Sequence, residues 1–323
     1  MNAKFLAPIP HLSPNKRKKR LIRKYAIFSN YSDPQSVGGK ENKMRIFQSL
    51  NFGRAQMLFI SLIAAIFAFL PIAHSEEIHH KTKFSVKFGG LTVGTASFDI
   101  KLNDEHYQMS GRGTTAGLAR LFSSGKGSFD STGVIDEDKI VAATHSVFVR
   151  EKKKDATLKM AFTDKSVTDV EMAPDKRKKH INSKQWVPIQ AKHMQNVVDP
   201  ASSLLMPIAY EDASDPRKVC GRSLEIFDGQ SRYTMKLSYK TTRAVQTKGY
   251  KGFAHVCKLK YVPIAGYRKG RKNVEYMRKN ERMEFWLAPI TGTNIFTPIR
   301  IEVATQYGKI TAVPQYFGLT TTQ

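Results

Sequence analysis

The sequence predicts a mainly β protein: a single curved antiparallel sheet, spiral or half-barrel-like, with one short packed helix. Three observations predict it. From Phe84 onward apolar and polar side chains alternate with a period of two, so each segment turns one face to a core and the other to water. Clusters of Gly, Asn and Asp punctuate these segments roughly every ten residues, the spacing of short strands joined by tight turns. Joints this short suit antiparallel neighbours, since parallel ones need long crossovers.

The chain before the sheet is of a different kind. Residues 1–43 form a basic extension with the run Lys16-Arg17-Lys18-Lys19-Arg20 and the pair Arg23-Lys24. Met44 reads as the natural start and the extension as a mis-assigned or discarded leader; the other reading of such a run is a nucleic-acid or localisation patch. Residues 44–75 have the order of a secretory signal: Arg45 and Arg54, an unbroken apolar run from Met57 to Leu70, then Pro71 and the small-residue pattern Ala73-His74-Ser75. The run falls short of the ~20 apolar residues that span a bilayer. Cleavage is therefore expected near Ser75, an uncleaved anchor being the alternative, and no Cys stands there to take a lipid. Residues 76–323 are then the mature β domain, expected in the periplasm.

Within that domain the first strands are expected at 83–88, 95–102 and 106–111, separated by Gly89-Gly90 with Gly94 and by Asn103-Asp104. More follow at 127–135, 140–151, 156–162 and 166–172, and a polar, basic joint occupies 174–183. One segment breaks the alternation. Asp199 can cap a helix with Pro200 at its first position, and Leu204, Leu205, Ile208 and Ala209 would share its apolar face. Pro207 limits it to about two turns. A weaker helical pattern lies at 116–122. Strands resume at 223–227, 232–239, 253–262, 273–287, 298–305 and 308–313.

Charge narrows the function classes. The 323 residues carry 52 Lys+Arg against 27 Asp+Glu, a net charge of +25, of which +10 precedes Glu76 and +15 remains on the β domain. Nucleic acid is not expected as a partner of an exported domain. The basic clusters Arg150 to Lys154, Lys176 to His180 and Arg268 to Lys272 sit where hairpin ends are expected. Lys152, Lys153, Lys154, Lys176, Arg177, Lys178, Lys179, Arg268, Lys269, Arg271 and Lys272 are thus candidate contacts to an anionic surface of lipid, lipopolysaccharide or cell-wall polymer. The plainer reading is a set of solvated turns.

The two cysteines, Cys220 and Cys257, both fall in the β domain. An even, minimal count in an oxidising compartment predicts one disulfide, worth about 4 kcal/mol at most by loop-closure entropy; two buried free thiols are the alternative. No zinc-type Cys/His spacing surrounds either, and neither metal nor cofactor is expected.

Several segments taken in order resemble a known family. Phe88-Gly89-Gly90-Leu91-Thr92-Val93-Gly94-Thr95-Ala96 is similar to the opening hairpin of the bacterial domain-of-unknown-function family 3108, and Thr115-Ala116-Gly117-Leu118-Ala119 to its next landmark. Asp199-Pro200-Ala201-Ser202-Ser203-Leu204 resembles its helix signature, and Cys220 with Phe227-Asp228-Gly229-Gln230-Ser231-Arg232-Tyr233 its strand and turn. Cys257, Tyr261 to Gly266 and Phe285-Trp286-Leu287 extend the likeness over nearly all of 84–314. Asp199, Pro200, Phe227, Asp228 and Gly229 are the family-like motif residues. Thr234, where an acidic residue is common, and the very basic 265–282 stretch depart from the pattern. The resemblance implies exported envelope proteins of Gram-negative bacteria and a spiral or half-barrel fold. It implies no activity.

Catalytic motifs are sparse. The sequence holds no H-E-x-x-H or G-x-S-x-G pattern. Ser202 or Ser203 with His193 and Asp199 could form a Ser-His-Asp grouping, although a helix start explains the serines and Asp199 as well. Gly111-Arg112-Gly113 and Gly125-Lys126-Gly127 are expected to be strand joints. Trp186, Tyr210, Tyr261, Tyr267, Phe285 and Trp286 are candidates for an apolar groove on the concave side, or else core. The expected function is a monomeric, non-enzymatic periplasmic protein that supports cell-envelope integrity, binding an amphipathic envelope component or a protein partner. The alternatives are a hydrolase of lipid or cell-wall esters or amides, and a structural adaptor that pairs through a sheet edge.

Overall fold

The computed structural model describes residues 77–103, 105–116, 125–152, 154–174 and 184–320. The extension, the export segment and its cleavage point, nearly all of the 116–122 stretch, Lys153 and the run 176–180 lie outside the described residues.

A 14-stranded antiparallel sheet makes up the domain, curved but not closed. Its first half is a meander in chain order: β1 (Ile78–Phe88), β2 (Leu91–Leu102), β3 (His106–Thr115), β4 (Lys126–Asp136), β5 (Lys139–Glu151), β6 (Lys154–Thr163) and β7 (Ser166–Ala173). Two short strands lie in the connection that follows, β8 (Trp186–Val187) and β9 (Met206–Pro207). The second half comprises β10 (Ser223–Phe227), β11 (Arg232–Thr247), β12 (Tyr250–Ala265), β14 (Met283–Pro289), β15 (Ile295–Thr305) and β16 (Gly308–Leu319), with β13 (Tyr267–Arg268) pairing β8 in a ribbon of its own. β16 then pairs β1, Phe88 opposite Ile310 and His80 opposite Leu319, which joins the halves mid-sheet.

Because neighbours are antiparallel, the turns gather at two ends. The β1–β2, β5–β6 and β15–β16 turns lie at one end, called the upper; the β2–β3, β4–β5 and β6–β7 turns lie at the lower end. Among the described residues no ladder joins the edges β7 and β10, and the connection between them bridges the gap. There Val197 donates its N–H to the Lys165 carbonyl at 3.0 Å, Val198 donates to Glu225 at 2.9 Å, and Phe227 donates to Val198 at 3.0 Å. This is one point of closure, not a ladder.

The expected strands are all present, most of them longer than the alternation showed. β11 and β12 extend to Thr247 and Tyr250 through a register shift near Tyr239, which breaks the period of two where that hairpin crosses toward β16. Two expectations fail. The stretch from Asp199 forms a single 3-10 turn, Ser202–Leu204, instead of two helical turns: Asp199 Oδ1 does accept from the Ala201 and Ser202 N–H groups, but Met206–Pro207 leaves in extended form to pair with Ile295 and Phe296. Pro207 has no N–H to continue a helix. The 273–287 strand is shorter than expected, because Lys272–Lys279 forms a helix stabilised by a Glu275–Arg278 pair and by Met277 against the core. A five-residue helix, Pro216–Cys220, was not foreseen, though Asp215 caps it and Pro216 opens it, the signature sought at Asp199.

Candidate functional site

The connection from Gln195 to Ala209 runs through the inside of the curved sheet and parts its interior into two cavities. On the lower side is a cavity of about 710 Å³ whose mixed lining includes the charged Lys139, Lys165, Arg222 and Glu225. On the upper side is an apolar groove of about 550 Å³ against the inner faces of β2 to β6. Both are of ligand size.

Glycines make the groove. Inward positions of β3 and β4 carry Gly111, Gly113 and Gly127, with Gly113 directly opposite Gly127 and Gly111 opposite Phe129. A side chain at Gly111 is excluded, since its Cβ would fall 2.1 Å from the Phe129 ring, which lies over the bare backbone. Phe98, Phe129, Val147 and Leu158 wall the space, and Pro200 and Leu204 cover it from the connection. The rings form a row, Phe84 to Phe98 at 5.6 Å, Phe98 to Phe129 at 5.7 Å and Phe129 to His145 at 6.5 Å. Such tilted and edge contacts are the favoured aromatic geometry. Of the two Gly-x-Gly stretches expected to be strand joints, Gly111-Arg112-Gly113 is therefore strand interior, while Gly125-Lys126-Gly127 stands at the start of β4.

The partition is held by a buried polar cluster. Asp199, Ser202 and Ser131 are fully buried and His145 is 3% exposed. His145 Nδ1 lies 3.0 Å from Asp199 Oδ1 and 2.7 Å from Ser131 Oγ, and Ser131 Oγ donates to Asp199 Oδ1 at 3.1 Å. Ser202 Oγ donates to Asp199 Oδ2 and accepts from the Tyr107 hydroxyl at 2.7 Å. Gly133 admits that hydroxyl, which a Cβ there would meet at 2.6 Å. Burial alone would raise the Asp199 carboxyl. The hydrogen bond and charge of His145, with the Ser202 hydroxyl and N–H, outweigh it and hold the carboxyl below the ordinary carboxylate range. Burial pushes the Tyr107 phenol well above its usual value, so it stays a donor.

This geometry corrects the serine-histidine grouping. His193 sits on a 3-10 turn and accepts from the Gln190 N–H at 3.1 Å; the histidine at Asp199 is His145, from β5. The Ser203 hydroxyl donates to the Pro200 carbonyl at 2.7 Å. The Ser202 hydroxyl is engaged as donor and acceptor, and its partner is the carboxylate instead of an imidazole. What the arrangement does chemically is tie β3, β4 and β5 to the connection.

The motif residues meet at the same place. Asp228 Oδ1 accepts from the Gln230 and Ser231 N–H groups at 2.9 and 2.6 Å, and its carboxyl is raised by burial against those bonds. Gly229 has φ +86°, and a Cβ on it would meet Leu158 at 2.6 Å, so the turn presses on the groove wall. Asp228 and Pro200 also line the groove. Thr234, opposite Glu225 in the ladder, donates to that carboxylate at 2.9 Å, and Arg232 pairs with it too.

The aromatics expected in a groove are dispersed. Tyr210 is 87% exposed on a turn, Trp186 and Tyr267 lie on the β8–β13 ribbon, and Tyr261 and Phe285 pack against the disulfide core. Trp286 packs beside Ala288 and Ile299 with Arg300 over its ring. None of the six lines the apolar groove, because side chains on β11 to β14 fill their own half. Cys220 and Cys257 are joined as expected, Cα atoms 5.4 Å apart within a core of Met206, Val219, Leu237, Leu259 and Leu287. Of the basic residues, Lys152 and Lys154 are on the β5–β6 turn, while Arg268 to Lys272 lead into a helix and do not cap a hairpin. Among the described residues no group of three or more His, Cys, Asp or Glu is placed to hold a metal ion, and no helix is long and apolar enough to cross a membrane.

Sheet and groove together define an open antiparallel β-spiral with a divided interior. The chain belongs to the family described as "Protein of unknown function (DUF3108)", whose model matches residues 83–313. It is similar to a solved structure, a beta-barrel-like protein of domain of unknown function DUF1849 from Brucella abortus, at 9% identity and TM-score 0.42, over 77% of this chain and 100% of that one. No curated protein matches it.

Proposed function

We propose that the chain is a non-enzymatic periplasmic protein that supports cell-envelope integrity by holding the apolar part of an amphipathic envelope component. One observation carries the reading: the glycine-floored groove of about 550 Å³ walled by Phe98, Phe129, Val147 and Leu158. A sheet built only for stability would fill those inward positions, since unfilled apolar space costs contact energy. The export-type order of residues 44–75 and the Cys220–Cys257 disulfide support a compartment outside the cytoplasm.

Gly113→Phe tests it. An added Cβ at Gly113 has only the Thr95 carbonyl within reach, at 3.7 Å, so the strand tolerates the side chain while the ring occupies the groove. Protein purified natively from envelopes is expected to release an acyl-chain lipid to solvent extraction and mass spectrometry, and the variant to release none. Cells without the protein are expected to be detergent-sensitive, rescued by the wild type and not by the variant. An empty wild-type groove, or full rescue by Gly113→Phe, overturns the reading.

A further inference from the structure

We propose that the upper end of the sheet docks on an anionic phospholipid bilayer, with the β1–β2 and β15–β16 turns seated in the headgroup layer and the basic turns on lipid phosphates. The inference rests on the groove reading for its purpose, since the groove occupies the half of β2 to β6 nearest this end.

Two neighbouring turns expose large apolar side chains. Leu91 is 67% and Tyr307 81% exposed, with Phe88 and Ile310 at 38% and 39%. They form one group: Phe88 is opposite Leu91 in one ladder and Ile310 in the other, and the Phe88 ring lies against Gly308. Single exposed apolar residues need no explanation, but a contiguous set on protruding tips marks a contact surface. A side chain added at Gly89 or Gly90 (φ +56° and +91°) would meet nothing within 4 Å, so the first tip is open on that side, while the Gly89 N–H donates to the Lys309 carbonyl at 3.0 Å and holds the two tips together. A short apolar tip holds a bilayer only weakly, and stable attachment needs a second signal, such as a basic patch.

The basic patch is at the same end. Lys152, Lys154, Lys269, Arg271 and Lys272 are exposed there and pair with no carboxylate among the described residues. At the lower end the β11–β12 turn carries Lys248 and Lys251, but Glu105 lies on the β2–β3 turn, the β4–β5 turn reads Asp136-Glu137-Asp138-Lys139, and the β6–β7 turn sets Asp164 beside Lys165. An acidic or balanced lower end and a basic upper end orient the molecule toward a negative surface. Near such a surface each Lys or Arg raises partitioning about fivefold. Tyr, the most exposed of the tip residues, is a side chain that bilayer interfaces favour. Charge complementarity with apolar tips selects a lipid surface over a folded acidic protein, which offers no apolar layer for the tips to enter.

Flotation with phosphatidylcholine vesicles, alone and mixed with phosphatidylglycerol, tests the docking. Binding is expected only to the mixed vesicles and to weaken in high salt. Leu91→Ser with Tyr307→Ser, and separately Lys269→Glu with Lys272→Glu, are each expected to lower it about tenfold or more, with circular dichroism melts unchanged because all four residues are exposed. In a Leu91→Trp variant, emission is expected to shift to the blue on mixed vesicles. Binding that ignores lipid charge, or that survives both pairs of substitutions, overturns the docking and leaves this end to a protein partner. Gly113→Phe separates the two readings: vesicle binding should persist when the groove is filled. An empty groove with charge-dependent vesicle binding defeats the groove and keeps the docking, and an occupied groove without vesicle binding does the reverse.

Discussion

The half of the sheet that carries the disulfide and the half that carries the groove are built from the same ladders, yet one is packed and the other hollow. In the first, inward positions hold Leu237, Leu259, Met283 and Leu287, closed over by Met206, Val219 and Phe296. In the second, three inward positions on two adjacent strands hold glycine, and the space stays open. Strand pairing therefore decides where the interior is. The size of the inward side chains decides whether it becomes core or site.

The boundary between the two halves rests on Asp199. Asp199→Ala strips a buried partner from His145, Ser131 and Ser202 at once, and is expected to cost about 4 kcal/mol, read as the urea midpoint. A loss below ~1 kcal/mol would show that the partition holds without its carboxylate. Removing the bridge as Cys220→Ala with Cys257→Ala is expected to cost about 3 kcal/mol by the same measurement, while lipid release from the groove at low temperature is unchanged. Coupling between the two would merge the halves into one unit.

Acid provides a third lever. His80 is 1% exposed, its Nδ1 has no partner among the described residues, and burial holds its pKa down to about 4 from 6.5. The folded value lies below the unfolded one, so as pH falls the unfolded chain takes up the proton first. Stability is full above pH ~6.5 and declines to about pH 4, by roughly 3 kcal/mol in all. His80→Gln, which does not titrate, is expected to flatten that slope. Asp199 acts only in a lower window: its folded pKa is below 3.8, so its contribution is present above that value and is lost as pH falls through the folded value. The smallest effect sharpens the contrast most directly. Leu287→Ala, in the packed half, is expected to cost about 3 kcal/mol and Leu158→Ala, on the groove wall, about 1 kcal/mol. Equal costs would mean that the groove wall is packed like core.

Alternation showed most of the strands of both halves before any coordinate, because each strand has one wet and one dry face. It was blind to the groove. Gly111, Gly113 and Gly127 read as turns, since the residue that leaves a turn free is also the one that leaves a face bare. The aromatics chosen in their place were conspicuous in the sequence, but Tyr261, Phe285 and Trp286 belong to the packed half, and Trp186, Tyr210 and Tyr267 lie on its ribbon and connections. Asp199 was legible as an acceptor for the N–H groups that follow it and does accept from Ala201 and Ser202, although the 3-10 turn there opens at Ala201. Its pairing with His145 was not, because that contact joins β5 to a connection far along the chain and has no local signature. The helix at Lys272–Lys279 was misread because Val274 and Tyr276 alternate with polar neighbours over too few residues to separate the two periods.

The pairing of β1 with β16 sets an order of events. The earliest strand of the domain has its partner in the latest, so neither meander can complete the sheet until synthesis has passed Leu319. Contacts so distant in sequence make for slow assembly and a period in which unpaired edges are exposed. Yet the two ends lie side by side, Thr320 donating its N–H to the His79 carbonyl at 2.8 Å. Joined there and opened at another turn, the chain would convert its most distant contact into a hairpin, and would fold faster to the same sheet.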